Sequence, residues 1–373
     1  MPKRKRILHV VGARPNFMKL APVMRALADP ELGCEQFLVH TGQHYDERMS
    51  RVFFRELDLP EPDVNLEIGS GSHACQTARM MLALDEVLNG RAPEWVFLYG
   101  DTNSTLAAAL VAAKLDMPIA HVEAGLRSFD RTMPEEVNRI LTDNLSNLLF
   151  TPSRDGNANL MNEGVSEDKI HLVGNVMIDT LVSNLGKTVN HPILEELNLV
   201  CGRGNSTAIR RYVVATLHRP ANVDDPIVLK GIIDALGKTS KRVPVIFPIH
   251  PRTRKLLNEH SIDVDTGISM IDPQGYLAFL CLVRYAALVV ADSGGVQEET
   301  TYLGVPCLTV RPNTERPVTI THGTNRLVAP DTPALLAEIE CALGLAAHDR
   351  VEPPELWDGH ASQRIASVMR SIG

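Results

Sequence analysis

Three acidic residues in the first half of the sequence have the side chains and the spacing that proton transfer requires. Asp101 and Glu123 each follow a short apolar run, and Glu135 comes directly after a proline. Two of them have a structural explanation when taken alone, since Asp101 could cap a helix and Glu135 could favour the positive end of a helix. Carboxyl groups that crowd into one crevice acquire different pKa values, which creates an acid and a base. Their combination therefore predicts acid/base chemistry on a bound substrate.

The elements around these acids predict a βαβ unit. Trp95–Tyr99 is an apolar run of strand formers, residues 105–115 are rich in Ala and Leu, and Ile119–Val122 is a second short apolar run. Met117 and Pro118 end the helix between the two strands. Two of the acids then lie just beyond the carboxyl ends of neighbouring parallel strands, which is the edge where ligands bind in open sheets.

A second chemical signal is the run D-S-G-G-V-Q-E-E at residues 292–299, which follows the apolar run 287–291. Ser293, Gly294 and Gly295 lead from a strand end into a helix start. Free backbone N–H groups and the positive helix end at such a turn bind anions, and a diphosphate fits that demand. A tight turn without a ligand explains these three residues about equally well when they are taken alone.

Length and composition indicate a globular protein of two domains. The chain has 373 residues, of which 44% are hydrophobic. It contains no apolar run of about eighteen residues, so no membrane span is expected. The net charge of -8 argues against a nucleic-acid partner. Six cysteines without a C-x-x-C spacing are typical of a reduced, cytoplasmic protein.

No cofactor signal accompanies these features. The first strand-like run is followed by a turn that lacks G-x-G-x-x-G, so neither a nicotinamide nor a flavin is expected. His40 and His44 have the spacing of a metal-binding helix face, but Thr41 and Gly42 interrupt a helix there, and no metal is expected.

Strand-like and helical segments alternate along both halves of the chain. This alternation predicts an α/β fold with two doubly wound, Rossmann-like sheets of parallel strands. The first helix is expected over residues 19–27, and the polar segment 186–205, without a clear strand, marks the domain junction. We expect an N-terminal domain at 1–185 that carries the carboxylates, a C-terminal domain at 186–356 and a final helix within 357–373.

Three motifs give the sequence a resemblance to a known family. G-D-T-N-S at 100–104, H-V-E-A-G-L-R-S-F-D at 121–130 and M-P-E-E-V-N-R at 133–139 resemble the motifs of non-hydrolysing UDP-N-acetylglucosamine 2-epimerases. The likeness extends over nearly the whole chain. It implies a GT-B-like fold with the active site in the interdomain cleft, UDP binding by the C-terminal domain, a final helix that crosses back to the N-terminal domain, and a homodimer.

The resemblance also implies a reaction, the reversible epimerisation of UDP-N-acetylglucosamine to UDP-N-acetylmannosamine at C2. The family proceeds by anti elimination of UDP to 2-acetamidoglucal and by re-addition, which requires no metal or redox cofactor. By this resemblance Asp101, Glu123 and Glu135 are the acid/base residues. The T-L-H-R run at 216–219 matches a family motif in which His218 contacts the departing diphosphate.

The remaining site residues follow from the same resemblance. Arg14 and Lys19 are implied to face the nucleotide-sugar, with Arg14 near the diphosphate. Gln43 and His44 match residues beside a second, regulatory UDP-sugar position in some members. Asn16 departs from the family, which usually has Glu there. For the second half, the resemblance implies residues that contact the diphosphate, the ribose and the uracil of the substrate. These residues are Ser293, Gly294, Gly295, Glu299, Arg316, Gln274 and Phe279.

Alternative functions remain open at the level of sequence. The run F-D-R-T-M-P-E-E at 129–136 also resembles relatives that act on UDP-diacetamido uronic acid sugars. A GT-B glycosyltransferase would share the architecture but would need an acceptor. The intact acidic motifs argue against a hydrolysing epimerase that releases free N-acetylmannosamine, and the retention of three carboxylates argues against a silent nucleotide-sugar sensor.

Overall fold

The computed structural model of the protein describes residues 5–43, 47–202, 208–344 and 352–372. The chain divides into two compact units. The first comprises Met1–Ser183 together with Glu355–Gly373, and the second comprises Asn184–Pro354. The sequence predicts these boundaries after residues 185 and 356.

The first unit is built on a parallel sheet with helices between its strands. The strands are β1 (Lys5–Val11), β2 (Cys34–His40), β3 (Val64–Asn65), β4 (Trp95–Tyr99), β5 (Ile119–Val122), β6 (Leu148–Thr151) and β7 (Ile170–Leu172). The α-helices are α1 (Arg14–Leu27), α2 (Glu47–Glu56), α3 (His73–Arg91), α4 (Asn103–Lys114), α5 (Pro134–Leu145), α6 (Arg154–Asn162) and α7 (Val176–Asn184). Among the described residues the strand order is β3-β2-β1-β4-β5-β6-β7.

The second unit repeats this architecture after a short helix, α8 (Ile193–Glu196), and the antiparallel pair β8 (Val200–Cys201) and β9 (Ala208–Ile209). Its parallel strands are β10 (Val213–Thr216), β11 (Val245–Pro248), β12 (Ile268–Ile271), β13 (Leu288–Ala291), β14 (Cys307–Val310) and β15 (Asn325–Val328). Its helices are α9 (Pro220–Val223), α10 (Pro226–Ser240), α11 (Pro251–Glu259), α12 (Tyr276–Arg284), α13 (Gly294–Leu303), α14 (Val318–Thr321) and α15 (Thr332–Gly344). In the described part of this unit the order is β12-β11-β10-β13-β14-β15.

Both sheets reverse their strand order at one point, which fixes where a ligand can bind. The reversal lies between β1 and β4 in the first unit and between β10 and β13 in the second. Ligands of doubly wound sheets bind beyond the carboxyl ends of the strands at such a point. Asp101 follows β4, and His218 and Asp292 follow β10 and β13, so the fold places all three at the expected edges.

Helices cover both faces of the parallel sheet in the second unit. Val213 and Val290 point into a core with α10 and α15, whereas Val214 and Val289 point into a second core with α12 and α13. All four side chains are buried. Parallel strands buried on both faces read as continuous apolar runs, which is why the sequence predicts them well.

The C-terminal helix, α16 (Ala361–Ser371), packs on the first unit. The carboxylate of Asp179, on α7, accepts the backbone N–H groups of Ala361 at 3.0 Å and Ser362 at 2.7 Å, which satisfies the first turn of α16. Trp357 Nε1 donates to the Pro152 carbonyl at 2.9 Å. The end of the chain is therefore part of the unit that contains its beginning.

Two elements differ from the sequence prediction. The first helix begins at Arg14 rather than at residue 19, with Pro15 in its first turn, where the missing N–H costs nothing. The segment 186–205, predicted without a clear strand, contains β8, which gains its hydrogen bonds only by pairing with β9. Across the described residues, no helix has both the length and the apolar character needed to cross a membrane.

Candidate active site

Glu123 is held in the first unit by a cation on a different element. It follows β5 with a left-handed backbone (φ +73°) and is 5% exposed, and its carboxylate contacts Lys19 Nζ of α1. Gly100 lies against this pair, since a Cβ atom there would lie 2.6 Å from Lys19 Nζ and 3.1 Å from Glu123 Oε2. Asn16 Nδ2 donates to the Tyr99 carbonyl at 2.7 Å and so ties α1 to the end of β4.

Asp101 is held by α5. Its carboxylate contacts Nη1 of Arg139, whose buried guanidinium also donates to Glu136 Oε2 from Nε at 3.0 Å and from Nη2 at 2.6 Å. Asn138 Nδ2 donates to the Asp101 carbonyl at 2.9 Å, which fixes the backbone as well. The Asp101 side chain keeps 25% of its surface exposed and can therefore reach a ligand.

The adjacent acids Glu135 and Glu136 lie in different environments at the start of α5. Glu136 is buried and accepts the backbone N–H groups of Ser128 at 3.0 Å and Phe129 at 2.8 Å. Burial alone would raise the pKa of Glu136, but these hydrogen bonds and Arg139 lower it below its ordinary value. Glu135 is half-buried and has no hydrogen bond or ion pair with any residue that the structure describes. The structure thus leaves Glu135, the residue predicted from sequence, available to a substrate.

In the second unit, His218 is paired with a buried carboxylate. Its Nδ1 lies 2.9 Å from Oδ1 of Asp292, which is fully buried at the end of β13. Asp292 also accepts the backbone N–H of Arg219 at 2.9 Å and Asn222 Nδ2 at 3.1 Å. The carboxylate therefore joins the turn after β10 to the turn that begins with Ser293.

The Ser293 turn has an arginine packed against it. Ser293 precedes α13, and a Cβ atom on Gly294 would lie 2.8 Å from Cζ of Arg316 and would overlap its Nη1. The Arg316 guanidinium donates to Glu298 Oε1 at 2.7 Å and contacts Glu315. Only glycine lets this ion-paired guanidinium lie beside the positive end of the helix.

The ionised side chains around this turn balance in charge. Three arginines, Arg219, Arg311 and Arg316, lie with three carboxylates, Asp292, Glu298 and Glu315. Arg311 Nη1 is buried without a hydrogen-bond partner among the described residues. This arginine nitrogen and the positive end of α13 suit an anionic ligand such as a diphosphate.

The other binding residues predicted for the second unit occupy α13, α12 and the loop before α12. Glu299 is buried in α13, where burial raises its pKa to about 8 and the neighbouring Glu298 adds to the shift. Gln274 donates to the Asp272 carbonyl at 2.7 Å, and Phe279 packs on the core beneath α12. Their predicted roles toward ribose and uracil stay predictions.

Comparison with known proteins decides the family. The family model for UDP-N-acetylglucosamine 2-epimerase matches residues 27–370. The chain belongs to this family. The epimerase is 44% identical to the UDP-N-acetylglucosamine 2-epimerase of Methanococcus maripaludis over 367 residues, which cover 96% of this chain and 97% of the relative. It is 40% identical over 370 residues to the UDP-2,3-diacetamido-2,3-dideoxy-D-glucuronate 2-epimerase of Pseudomonas aeruginosa, covering 98% of this chain and all of the relative (100%).

Solved structures agree with this assignment. The crystal structure of the Methanocaldococcus jannaschii UDP-GlcNAc 2-epimerase in complex with UDP-GlcNAc and UDP matches the epimerase with a TM-score of 0.88 at 40% identity, covering 99% of this chain and 100% of that one. These similarities confirm three sequence predictions: the family, the GT-B-like class of two Rossmann-like α/β domains, and an enzyme of the isomerase class. The predicted interdomain active site stays a prediction.

Arg14 and Gln43 have structural partners in the epimerase. The Arg14 guanidinium stacks over the Phe53 ring at 4.5 Å. Gln43 Oε1 accepts the backbone N–H of Ser104 at 3.2 Å and its hydroxyl at 2.7 Å, which ties Gln43 to the start of α4. His44 lies outside the described residues, so the regulatory position stays a prediction.

Sequence reasoning missed a buried histidine that supports Gly100. The His121 ring lies between Asp143 Oδ1, at 2.6 Å from Nδ1, and the Gly100 carbonyl, at 2.8 Å from Nε2. Burial alone would raise the pKa of Asp143, but His121 and Arg127 lower it. The signal was present in H-V-E-A-G, where a histidine occupies an otherwise apolar strand, but its partner lies 22 residues away.

Proposed function

We propose that the epimerase interconverts UDP-N-acetylglucosamine and UDP-N-acetylmannosamine by reversible inversion at C2. The observation that carries the proposal is the set of acids in the first unit. Asp101 and Glu123 follow neighbouring strands, each beside a buried cation, and Glu135 lies in the first turn of the helix whose Arg139 contacts Asp101. The names of the Methanococcus and Methanocaldococcus relatives support the same substrate.

The proposed reaction balances without an oxidant or a reductant. A base removes the C2 proton while the C1–O bond to UDP breaks, so the C–H electron pair becomes the C1–C2 double bond of 2-acetamidoglucal. UDP leaves with the electron pair of the C1–O bond. A proton then adds to the opposite face of C2, and a diphosphate oxygen re-forms the bond to C1. Asp101, Glu123 and Glu135 supply the groups that accept and donate these protons.

Departure of UDP requires stabilisation of the diphosphate. In this proposal the positive end of α13, His218 and Arg316 bind it, because each places positive charge or N–H donors near the Ser293 turn. Arg14 and Lys19 also bind the nucleotide-sugar. The second unit further contributes Gly294, Gly295, Glu299, Gln274 and Phe279 to phosphate, ribose and uracil.

One incubation in heavy water tests the function. We expect purified protein and UDP-N-acetylglucosamine to give both C2 epimers, each with deuterium at C2, because the proton that returns comes from the solvent. Stoichiometric free N-acetylmannosamine would show hydrolysis instead. Turnover only with an added acceptor would show glycosyl transfer, and binding of UDP-N-acetylglucosamine without turnover would show a sensor.

A second substrate class has a specific observation in its favour. The Pseudomonas relative, named for UDP-2,3-diacetamido-2,3-dideoxy-D-glucuronate, is 40% identical over almost the whole chain, and the F-D-R-T-M-P-E-E run resembles such relatives. Measuring kcat/KM for both UDP-sugars decides between them. A higher value for the diacetamido uronate would replace UDP-N-acetylglucosamine as the assigned substrate.

We also propose that the epimerase is a cytoplasmic homodimer. Leu82, Val137 and Leu141 of α3 and α5 expose apolar side chains, and a cavity of about 400 Å³ lies between α3, α4 and α5. Exposed apolar surface of this kind supports self-association. Light scattering should give twice the chain mass of 41.0 kDa. Val137→Glu should halve that mass, and a monomeric wild-type protein would contradict the proposal.

A further inference from the structure

The pairing of His218 with Asp292 fixes more than the position of the ring. The two residues follow β10 and β13, which are neighbours at the point where the strand order reverses. Asp292 has 0% exposure, whereas 42% of the His218 side chain is exposed. The histidine thus has one edge against a buried carboxylate and another edge open to solvent.

The hydrogen bonds of Asp292 determine where the hydrogen on His218 lies. The carboxylate accepts the backbone N–H groups of His218 at 3.0 Å and Arg219 at 2.9 Å, as well as Asn222 Nδ2 at 3.1 Å. Burial alone would raise the pKa of Asp292, but the His218 ring and these donors lower it to about 2, so it is ionised at neutral pH. An ionised carboxylate only accepts, and Nδ1 of His218 must therefore carry the hydrogen.

The other charged and titratable neighbours do not compete for this nitrogen. The His250 ring lies 6.1 Å from the His218 ring, and its Nδ1 accepts the backbone N–H of Arg252 at 3.2 Å. The Arg219 side chain is directed to Glu315, 3.7 Å away. Asp292 is thus the carboxylate that faces His218 among the described residues.

We propose that Asp292 is a positioning residue for the epimerase, which keeps the hydrogen of His218 on Nδ1 and leaves Nε2 to exchange a proton with the departing diphosphate. This inference rests on the proposed function only for the identity of that ligand. Nε2 takes up a proton from solvent water and donates it in a hydrogen bond to a phosphate oxygen as the C1–O bond breaks, and re-addition returns it to Nε2. The charge of the imidazolium is balanced by Asp292. Asp292 itself touches no substrate.

The first test reads the tautomer directly. The full-length protein is labelled with ¹⁵N-histidine, and His218→Gln identifies the His218 signals. We expect the neutral ring of the wild type to carry its hydrogen on Nδ1, and UDP to shift the Nε2 resonance. In Asp292→Asn the side-chain amide can donate to Nδ1, so the hydrogen should move to Nε2. Asn222→Ala, which removes a different donor from the same carboxylate, should leave the tautomer unchanged.

The second test separates positioning from folding. Asp292→Asn should lower kcat by about 10- to 100-fold with a smaller change in KM, whereas Asn222→Ala should stay within about threefold of the wild type. Hydrogen on Nε2 in the wild type, or wild-type kcat in Asp292→Asn, would overturn the proposal. If Asp292→Asn does not fold, the wild-type tautomer and its response to UDP still decide. If the protein does not catalyse the proposed epimerisation, the ¹⁵N-histidine spectrum still tests the pairing of His218 with Asp292. Failure of the proposed function can therefore be distinguished from failure of this inference.

Discussion

At the scale of single residues, each acid differs in what already contacts it. Asp101 is exposed enough to reach a ligand and is oriented by Arg139 and Asn138. Asp101→Asn keeps the size of the side chain and the backbone bond from Asn138 but removes the ability of the side chain to take a proton. We expect UDP affinity within about threefold of the wild type and deuterium uptake at C2 lowered by about 10²- to 10⁴-fold. Normal exchange in this variant would remove Asp101 from the mechanism.

The neighbouring pair Glu135 and Glu136 offers a matched comparison. Glu135→Gln should lower C2 exchange with little change in stability, because no described residue binds its carboxylate. Glu136→Gln removes one of the two carboxylates that pair with the buried Arg139 and should cost about 3 kcal/mol of unfolding free energy. Denaturant unfolding and deuterium uptake, measured on both variants, check this. The reverse pattern, with Glu136 controlling exchange at full stability, would exchange the assignments.

Glu299 should make stability depend on pH in a predictable direction. Burial raises the pKa of Glu299 from 4.5 to about 8. At a pH between these two values, Glu299 is protonated in the folded state and ionised in the unfolded state. Unfolding free energy should then fall as pH rises from about 5 to 8, with a limiting slope near 1.4 kcal/mol per pH unit from this group. Glu299→Gln should remove that part of the slope. An unchanged slope in urea titrations would show that Glu299 ionises normally.

At the scale of elements, sequence predicted positions better than partners. Asp101 and Glu123 could be assigned to one sheet edge because the end of a short apolar strand is a local property of the chain. Asp101 pairs with Arg139, which lies 38 residues later, and His218 pairs with Asp292, which lies 74 residues later. Both pairs form only when the helices and strands pack together. The pairing of β8 with β9 was missed for the same reason, whereas the early start of α1 was missed although Pro15 is a local signal for a first helical turn.

The turn before α13 can be tested as an element. Gly294→Ala places a Cβ atom where the Arg316 guanidinium lies, and that guanidinium is buried and paired with Glu298 and Glu315. We expect a loss of about 1–3 kcal/mol of stability and at least tenfold weaker UDP binding by calorimetry. Gly90→Ala, on open surface in α3, is the control and should change neither quantity adversely. Unchanged UDP affinity in Gly294→Ala would separate this turn from the ligand.

At the scale of the whole molecule, the chain begins and ends in the same unit. Sequence could predict two Rossmann-like units from the repeated alternation, and the matched structures agree with that class. It predicted the return of the last helix only through family resemblance, because an amphipathic helix does not encode which surface covers its apolar side. In the structure that surface is α1, and Lys5 Nζ donates to the Met369 carbonyl at 2.7 Å.

This arrangement predicts that a change at the C-terminus destabilises the N-terminal unit selectively. Ile365 is fully buried on α16, so Ile365→Ala should cost about 2–5 kcal/mol. Hydrogen exchange should then increase along β1 and α1, while β10 and β13 keep wild-type protection because they belong to the other unit. Gln363→Ala, exposed on the same helix, controls for effects on the helix itself. Equal loss of protection in both units would mean that they unfold together, and the C-terminal helix would then stabilise the protein as one cooperative body rather than through its own unit.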